Sequence, residues 1–501
     1  MDTMLEAAEV FPAGEYLRDE LDERDSTVTE FAEILARPVQ VVSEILRSRY
    51  GGVDVMKRRN EHSGQLGKPA PSLRSTTTTV LVTFLLVVAT AACANESRSN
   101  RAHAPQAPLT SVTTAAVTTR STSPSTSPST GKVPAMPSDL NSALITAAWA
   151  NDLERARDLV VQGADVNYED TTEQSAYLIA TSEGYVDLLE LTLSHGADVA
   201  ALDSYNGTGL IRAAERGHSR IVGRLLRAGI DVDHVNRLGW TALHEAIVLG
   251  DGNERYVDTV RLLVAGGTDV RLPPTRDGIA PLLHAENRGQ TDVARTLRAA
   301  LDAPVMVNAD AALLSAAARG DADTVALARR AGADLEARDA RGRTALLLAA
   351  DADHLEVARL LVMLGADVNA IDGQHDTPWL VTGVTGSVSM GEVLLWGKPD
   401  FTLRNRFGGI SIIPAIERGH VKYVRWVVRH PIDVNHVNNL GWTALLEAVI
   451  LGDGSPPYQE IVRILLGAGA DRELADRDGL TALDHARAQG QDAVANLLAR
   501  Q

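Results

Sequence analysis

Residues 342–370 read GRTALLLAADADHLEVARLLVMLGADVNA, and the reading of this stretch decides the fold. Gly342-x-Thr344-Ala345-Leu346 opens a short helix rich in Ala and Leu. After a turn, Val357, Leu360 and Leu361 recur at helical spacing and mark a second helix. Gly365 closes that helix, where the chain needs a left-handed residue. Asp367-Val368-Asn369 then turns the chain onward. Two helices this short cannot bury their own apolar faces, so the unit requires neighbours of the same kind.

The neighbours are in the sequence. QGADVN at 162, HGADVA at 195, AGADLE at 331, LGADVN at 364 and AGADRE at 468 share one pattern, with looser forms at 228, 266, 397 and 430. The phased aspartates are Asp165, Asp198, Asp231, Asp269, Asp302, Asp334, Asp367, Asp400, Asp433 and Asp471, in steps of 33, 33, 38, 33, 32, 33, 33, 33 and 38. A fixed period held over this length is the signature of a structural repeat. Ten units follow from the aspartates, and GLTALDHARAQGQDAVANLLARQ from Gly479 makes an eleventh that can act as a cap.

The array also contains a larger echo. NRLGWTALHEAIVLGDG at 236–252 returns as NNLGWTALLEAVILGDG at 438–454, 202 residues later. That distance is six periods plus one five-residue insertion, less one. The insertion falls between the two helices of the fourth and tenth units, at Gly250 to Val257 and Gly452 to Gln459. ERGH recurs at 215 and 417, and RDG at 276 and 477, so a block has been duplicated. The sixth unit, LLSAAARGDADTV, resembles the first, LITAAWANDLERA, and both read as starting units. The array therefore has a place to bend near residues 299–310. One continuous solenoid and two abutting arrays are both open, and continuity is favoured because the period survives the junction.

The G-x-T-A-L start, the Ala-Ala pair and G-A-D-V-N at this period resemble the ankyrin repeat family, over roughly residues 140–501. The resemblance implies an all-α ankyrin-repeat solenoid of about eleven helix-turn-helix units, each opened by a β-turn finger. Repeats 1–5 are expected over 139–303 and repeats 6–11 over 304–501. It also implies protein recognition by a concave face of fingers and first helices. Thr241 and His244 match the family's T-x-L-H element, a hydrogen-bonding device implied to tie adjacent units. A lone His after a turn Gly is implied to bond backbone.

Trp240 and Trp442 precede the Thr-Ala-Leu of the duplicated units, near a finger base, with His234, Tyr256, His436 and Tyr458 around them. As a duplicated contact patch they would serve an unidentified protein partner, since Trp is favoured at binding hot spots. The other reading packs each Trp on the neighbouring finger and makes the insertion a longer loop. Duplication copies residues whatever their role, so recurrence does not choose between these.

Composition narrows the function. The 501 residues carry a net charge of −17, which disfavours a wide nucleic-acid surface. Aromatics are only 4%, as suits small units packed with Ala, Leu and Val rather than one large core. The sequence contains no Gly-x-Ser-x-Gly elbow, phosphate loop or His-Glu-x-x-His. His420 and His430 are the pair that could meet within one unit; the 13 histidines are otherwise scattered. No enzyme activity, metal or cofactor is expected.

Residues 56–93 read as an export signal: Lys57, Arg58 and Arg59, an apolar run from Val80 to Ala92, then Cys93, the only cysteine, which rules out an internal disulfide. The stretch resembles a bacterial lipoprotein signal, which implies cleavage and lipidation of Cys93. Thr90 stands where Leu or Val is typical. The alternative is an uncleaved single-pass anchor from Thr76 to Ala94. Either places the array at the extracytoplasmic face of the cell membrane. Residues 94–138, rich in Ser, Thr and Pro, read as a disordered linker with a reach of roughly 35–40 Å.

Residues 1–55 read as a separate small helical segment. PAGEYLRDELDERDSTVTEFAEILARPVQVVSEILRSR at 12–49 resembles the start of a HigA/Xre-type helix-turn-helix antitoxin, which implies DNA contacts from Gln40, Ser43, Arg47 and Arg49. Ala36 replaces the usual turn Gly, and the later helices of that domain do not follow Tyr50. The bland alternative is a short helical tail. A DNA reader and an exported array conflict in place. Translation from Met56 resolves the conflict and is preferred; the runner-up is a membrane-tethered DNA-binding regulator with an ankyrin sensor outside.

Overall fold

The computed structural model describes residues 137–272 and 278–499. The helix-turn-helix, signal and lipidation readings over 1–93 lie outside the described residues, as does the linker up to residue 136. The described chain forms helix pairs in sequence order: α1 Pro137–Trp149 with α2 Leu153–Val161, α3 Ala176–Glu183 with α4 Val186–Ser194, α5 Gly209–Glu215 with α6 Ser219–Arg227, α7 Ala242–Val248 with α8 Glu254–Ala265, and α9 Pro281–Asn287 with α10 Thr291–Asp302. They continue as α11 Ala309–Arg319 with α12 Ala322–Arg330, α13 Ala345–Asp351 with α14 Leu355–Leu364, α15 Pro378–Thr385 with α16 Val388–Leu395, α17 Ile412–Glu417 with α18 Val421–Val427, α19 Ala444–Ile450 with α20 Pro456–Gly467, and α21 Ala482–Ala488 with α22 Asp492–Ala499. Eleven pairs match the eleven units read from the sequence. α1 opens at Pro137, two residues inside the stretch read as linker.

In the units that carry a threonine at the motif position, the first helix starts there for a local reason: the threonine is its N-cap. Leu347 N donates to Thr344 Oγ1 at 3.3 Å, Leu380 N to Thr377 Oγ1 at 3.1 Å and Leu446 N to Thr443 Oγ1 at 3.2 Å. Leu346, Ala349, Val357, Leu360 and Leu361 are fully buried, as their spacing predicts. Thr241 and His244 of the T-x-L-H element form a capping box, with Thr241 Oγ1 and His244 Nδ1 2.9 Å apart.

The phased aspartate holds the stack together through its backbone. Its own carboxylate accepts from the N–H two residues on, as Asp367 does from Asn369 at 2.8 Å. That Asn, two residues on, accepts from the next unit's aspartate N–H: Asn167 from Asp198 at 2.7 Å, Asn369 from Asp400 at 2.8 Å and Asn435 from Asp471 at 2.8 Å. The ladder has two beginnings. Asp165 N donates to Asn141 Oδ1 and Asp334 N to Asp310 Oδ1, both at 2.8 Å and both reaching 24 residues back into the unit's own first helix. Units one and six are both starting units in this physical sense.

Histidines after the left-handed turn residue, Gly217, Asp353 or Gly419, also tie neighbours. The ring Nε2 of His218 lies 3.1 Å from Ser182 O, that of His354 3.3 Å from Ala318 O, and that of His420 3.1 Å from Val384 O. Each ring sits where the previous unit's turn glycine has no side chain. A Cβ on Gly386, whose φ is +71°, would lie 2.6 Å from the His420 ring. Gly386→Ala is therefore expected to cost on the order of 2 kcal/mol by thermal or denaturant unfolding. Asp353→Gly is the control of opposite sign, because Asp353 holds the same left-handed turn position at φ 55° with a side chain.

The favoured continuity of the array is not what the fold shows. First helices stack from α1 through α9 at alternate positions and again from α11 through α21, but no comparable packing joins α9 to α11. Residues 303–308 leave the helical path, with Val305 and Val307 almost wholly exposed. The second array then folds back, so that α12 packs on α8 and α10, and α14 packs on α6 and α8. The period survives the junction because the register of sequence units does not require their spatial continuity.

The seam between the arrays is built from second helices. Gly223 of α6 lets the Met363 carbonyl of α14 approach so closely that a Cβ would meet it at 2.5 Å. Arg220 lies over the Trp396 ring at 5.2 Å. Arg330 Nη1 donates to Thr268 O at 2.6 Å. Arg261 of α8 bonds Asp323 at 2.8 Å and Glu356 at 2.9 Å, while Arg359 donates to Asp258 at 3.0 Å. Flanked on two sides, α8 buries every residue from Tyr256 to Ala265.

Candidate recognition surface

The fingers are tight turns closed at the base by backbone. Asn236 N donates to Trp240 O and Asn438 N to Trp442 O, each at 3.0 Å, so both tryptophans sit at a finger base as expected. The Asn side chain organises the turn, since Asn236 Oδ1 accepts from Leu238 N and Trp240 N, both at 3.0 Å. Successive fingers also bond through backbone: Arg237 N to Tyr205 O at 2.9 Å, Gly373 N to Arg341 O at 2.9 Å and Asn439 N to Phe407 O at 3.0 Å.

Around the tryptophans the duplicated residues act within the array. His234 Nε2 lies 2.7 Å from Asn206 O, and His436 Nε2 lies 2.6 Å from Gly408 O, each on the preceding finger. Tyr256 and Tyr458 from the two insertions donate to Glu215 O and Glu417 O of the preceding units, both at 3.0 Å. These four polar groups link repeats. The two tryptophans are half-buried, and the Trp240 Nε1 is buried without a hydrogen-bond partner. His420 and His430 do not come together as a pair of ligands: His420 bonds the Val384 carbonyl, while His430 packs edge-on to the Trp426 ring at 4.7 Å.

A feature missed in the sequence lies behind each tryptophan. Asn236 Nδ2 donates to Glu245 Oε1 at 2.9 Å, and Asn438 Nδ2 to Glu447 Oε1 at 2.6 Å. Both glutamates are 4% exposed on the first helices. Burial, with help from Glu215, pushes the Glu245 carboxyl up to about 8, against the pull of the Asn236 bond; burial with Glu417 pushes Glu447 to about 7. The sign of the consequence is fixed. Between about 4.5 and about 8 the folded chain keeps a proton that the unfolded chain has lost, so this group's contribution to stability falls as pH rises through that window. Glu245→Gln is expected to stabilise the fold by on the order of 2 kcal/mol near the upper end of that window and by little near the lower end. Denaturant unfolding at both ends checks this; a pH-independent gain would contradict it.

In sum, the fold presents stacked helix pairs whose fingers and first helices form open faces, while the contacts between arrays are made by second helices. The class is that of a stacked-repeat scaffold. The model of "Ankyrin repeats (3 copies)" matches residues 144–236, 210–309, 285–372, 384–473 and 415–501, and the chain belongs to the ankyrin repeat family. A putative ankyrin repeat protein, YahD of Escherichia coli, is 38% identical over 38% of this chain and 96% of its own length. An ankyrin repeat and KH domain-containing protein, mask-1 of Caenorhabditis elegans, is 28% identical over 57% of this chain but only 11% of its own. The crystal structure of an ankyrin repeat domain from Acinetobacter baumannii shares 46% identity over 37% of this chain and 95% of that one, with a TM-score of 0.36. Ankyrin repeats serve protein–protein interaction, and the array is an interaction scaffold of that kind.

Proposed function

We propose that this protein is an exported, lipid-anchored and non-enzymatic scaffold that recognises a partner protein at the extracytoplasmic face of the membrane. One observation carries the recognition half. The arrays dock through the second helices α6, α8, α10, α12 and α14, so among the described residues the first helices of both lie outside the seam. A rigid stack with two such faces suits recognition of a folded partner at little ordering cost. Trp240 and Trp442, half-buried at finger bases, are the candidate contacts. The anchoring half rests on the basic start, apolar run and Cys93 of residues 56–93. Together they give a lipid, a tether and a recognition array in that order.

Radiolabelled palmitate is expected to enter the wild-type chain and not Cys93→Ser; equal labelling of both removes the lipid anchor. A photo-crosslinker at position 240 or 442, irradiated on intact cells, is expected to trap a discrete protein adduct. No adduct from either position or from the fingers would overturn the recognition reading. An N-terminus in the cytosol with a protease-accessible array would instead support the membrane-tethered regulator, with DNA reached through Gln40, Ser43, Arg47 and Arg49.

A further inference from the structure

The ninth and tenth fingers expose large apolar side chains more than their described counterparts in the first array do. Phe407 on the ninth finger is 59% exposed and Leu440 on the tenth is 55% exposed, with Val437 exposed beside it. Their counterparts 202 residues upstream, Tyr205 and Leu238, are only half-exposed. Arg404 and Arg406, both exposed, flank Phe407, where the upstream copies are Leu202 and Ser204. The Arg406 guanidinium lies over the Phe407 ring, 4.6 Å from its centroid, and also bonds Gln374 of the eighth finger. From the eleventh finger, Arg477 donates to Asn439 O at 2.5 Å. Fingers nine to eleven are thus joined into one edge with exposed apolar side chains on the ninth and tenth and guanidinium groups on the ninth and eleventh, on a chain whose net charge is −17.

The cations sit on the ninth and eleventh fingers. Residues 404–409 of the ninth finger carry two arginines and no carboxylate, and residues 434–441 of the tenth carry no carboxylate. Asp376 of the eighth finger feels the Arg406 charge, and Asp478 stands exposed on the eleventh. Asp476 turns a carboxylate oxygen back onto the N–H groups of its own finger, Asp478 N at 2.9 Å and Leu480 N at 3.0 Å.

We propose that this edge docks an extended, acidic segment of the partner protein that carries large apolar side chains. The inference rests on the recognition reading above and names the chemistry of its partner. Charge complementarity selects an acidic ligand on an otherwise acidic protein. Exposed Phe and Leu beside Arg are the groups from which hot spots are made once a partner excludes water. An edge that runs across three successive fingers suits an extended segment, and an anionic lipid surface offers the charge without discrete apolar side chains.

Selection of a random phage-displayed peptide library on the full-length chain in detergent tests the proposal. Peptides rich in Asp and Glu with Leu, Phe or Trp are expected to be enriched. As synthetic peptides they are expected to lose about tenfold or more in affinity against Phe407→Ala/Leu440→Ala and against Arg404→Glu/Arg406→Glu. They keep their affinity for Leu238→Ala, the first-array counterpart of Leu440. The substituted side chains are exposed, and unchanged circular dichroism confirms folding. Enriched peptides that ignore the finger substitutions overturn the finger site and leave the recognition scaffold standing. Failure to enrich any peptide overturns the extended-segment ligand and leaves recognition of a folded partner standing. Phosphatidylglycerol vesicles that bind the wild type and not the finger variants overturn the peptide ligand in favour of a lipid one.

Discussion

Gly223→Arg is expected to part the two arrays while leaving each one folded. The α6 backbone at this position meets the α14 backbone with no room for a methyl group, since a Cβ would lie 2.5 Å from Met363 O. Overpacking of a well-packed contact costs about 1–3 kcal/mol even when neighbours adjust. Here the neighbour is backbone, and an arginine cannot be accommodated without separation. The stacks themselves do not depend on this contact, because their capping, aspartate ladder and histidine ties lie within each array. The duplicate of Gly223 is Arg425, which sits on an open face and pairs with Glu460 at 2.7 Å. Small-angle scattering should show a larger radius of gyration for Gly223→Arg, and unfolding should split into two transitions. Arg425→Gly should leave the shape unchanged. Identical scattering curves for Gly223→Arg and wild type would remove the folded-back arrangement.

Arg261→Ala is expected to be the most destabilising of the charge deletions. Arg261 is buried against Asp323 at 2.8 Å and Glu356 at 2.9 Å, with Asp258 3.8 Å away on the same helix. Removing the cation takes one of two guanidinium partners from Asp323, which keeps Arg295, and leaves Asp258 to Arg359, which costs about 2–3 kcal/mol. Burial works against ionisation of Asp323, but hydrogen bonds from Arg295 and Arg261 outweigh it and hold its carboxyl below the usual range. Asp258 is the opposite case. Burial pushes it up to about 6 despite Arg359 and Arg261, so its share of the penalty shrinks as pH falls below that value. The internal control is again the duplicate: Arg463 pairs with Glu460 at 3.1 Å, and both are substantially exposed. Arg463→Ala is expected to cost about 1 kcal/mol or less. Denaturant midpoints of the two variants compare them directly; equal costs would show that the seam around Arg261 is wet.

Much of the architecture was legible in residues. Gly342, Thr344, Leu346, Val357, Leu360 and Leu361 predict a capped helix pair, and each takes its expected role. The turn histidines bond backbone as expected. The site was less legible. His234, His436, Tyr256 and Tyr458 stood out by duplication, but their polar atoms are engaged on the preceding unit. Glu245 and Glu447 drew no attention, because a Glu in a first helix looks like a solvated residue until the Asn of its own finger is seen to close over it. The differences between copies carried more signal than the likenesses. Arg404 and Arg406 against Leu202 and Ser204, and Gly223 against Arg425, are both visible in the sequence once the copies are aligned at 202 residues.

By itself the sequence determined the unit, its period, the number of units and the two units that begin a stack. All of these follow from contacts within a unit or between a unit and the next, and such contacts repeat with the motif. Only the tertiary structure decided that the stack breaks after α10 and that α6 and α8 are covered by α12 and α14. The contacts that make this seam join residues 62, 95 and 101 positions apart, with no period to announce them. The local spelling is also degenerate: Asp258 with Arg261 and Glu460 with Arg463 write nearly the same pair one helical turn apart. One pair is sealed between arrays and the other faces solvent, because burial is a property of what lies opposite.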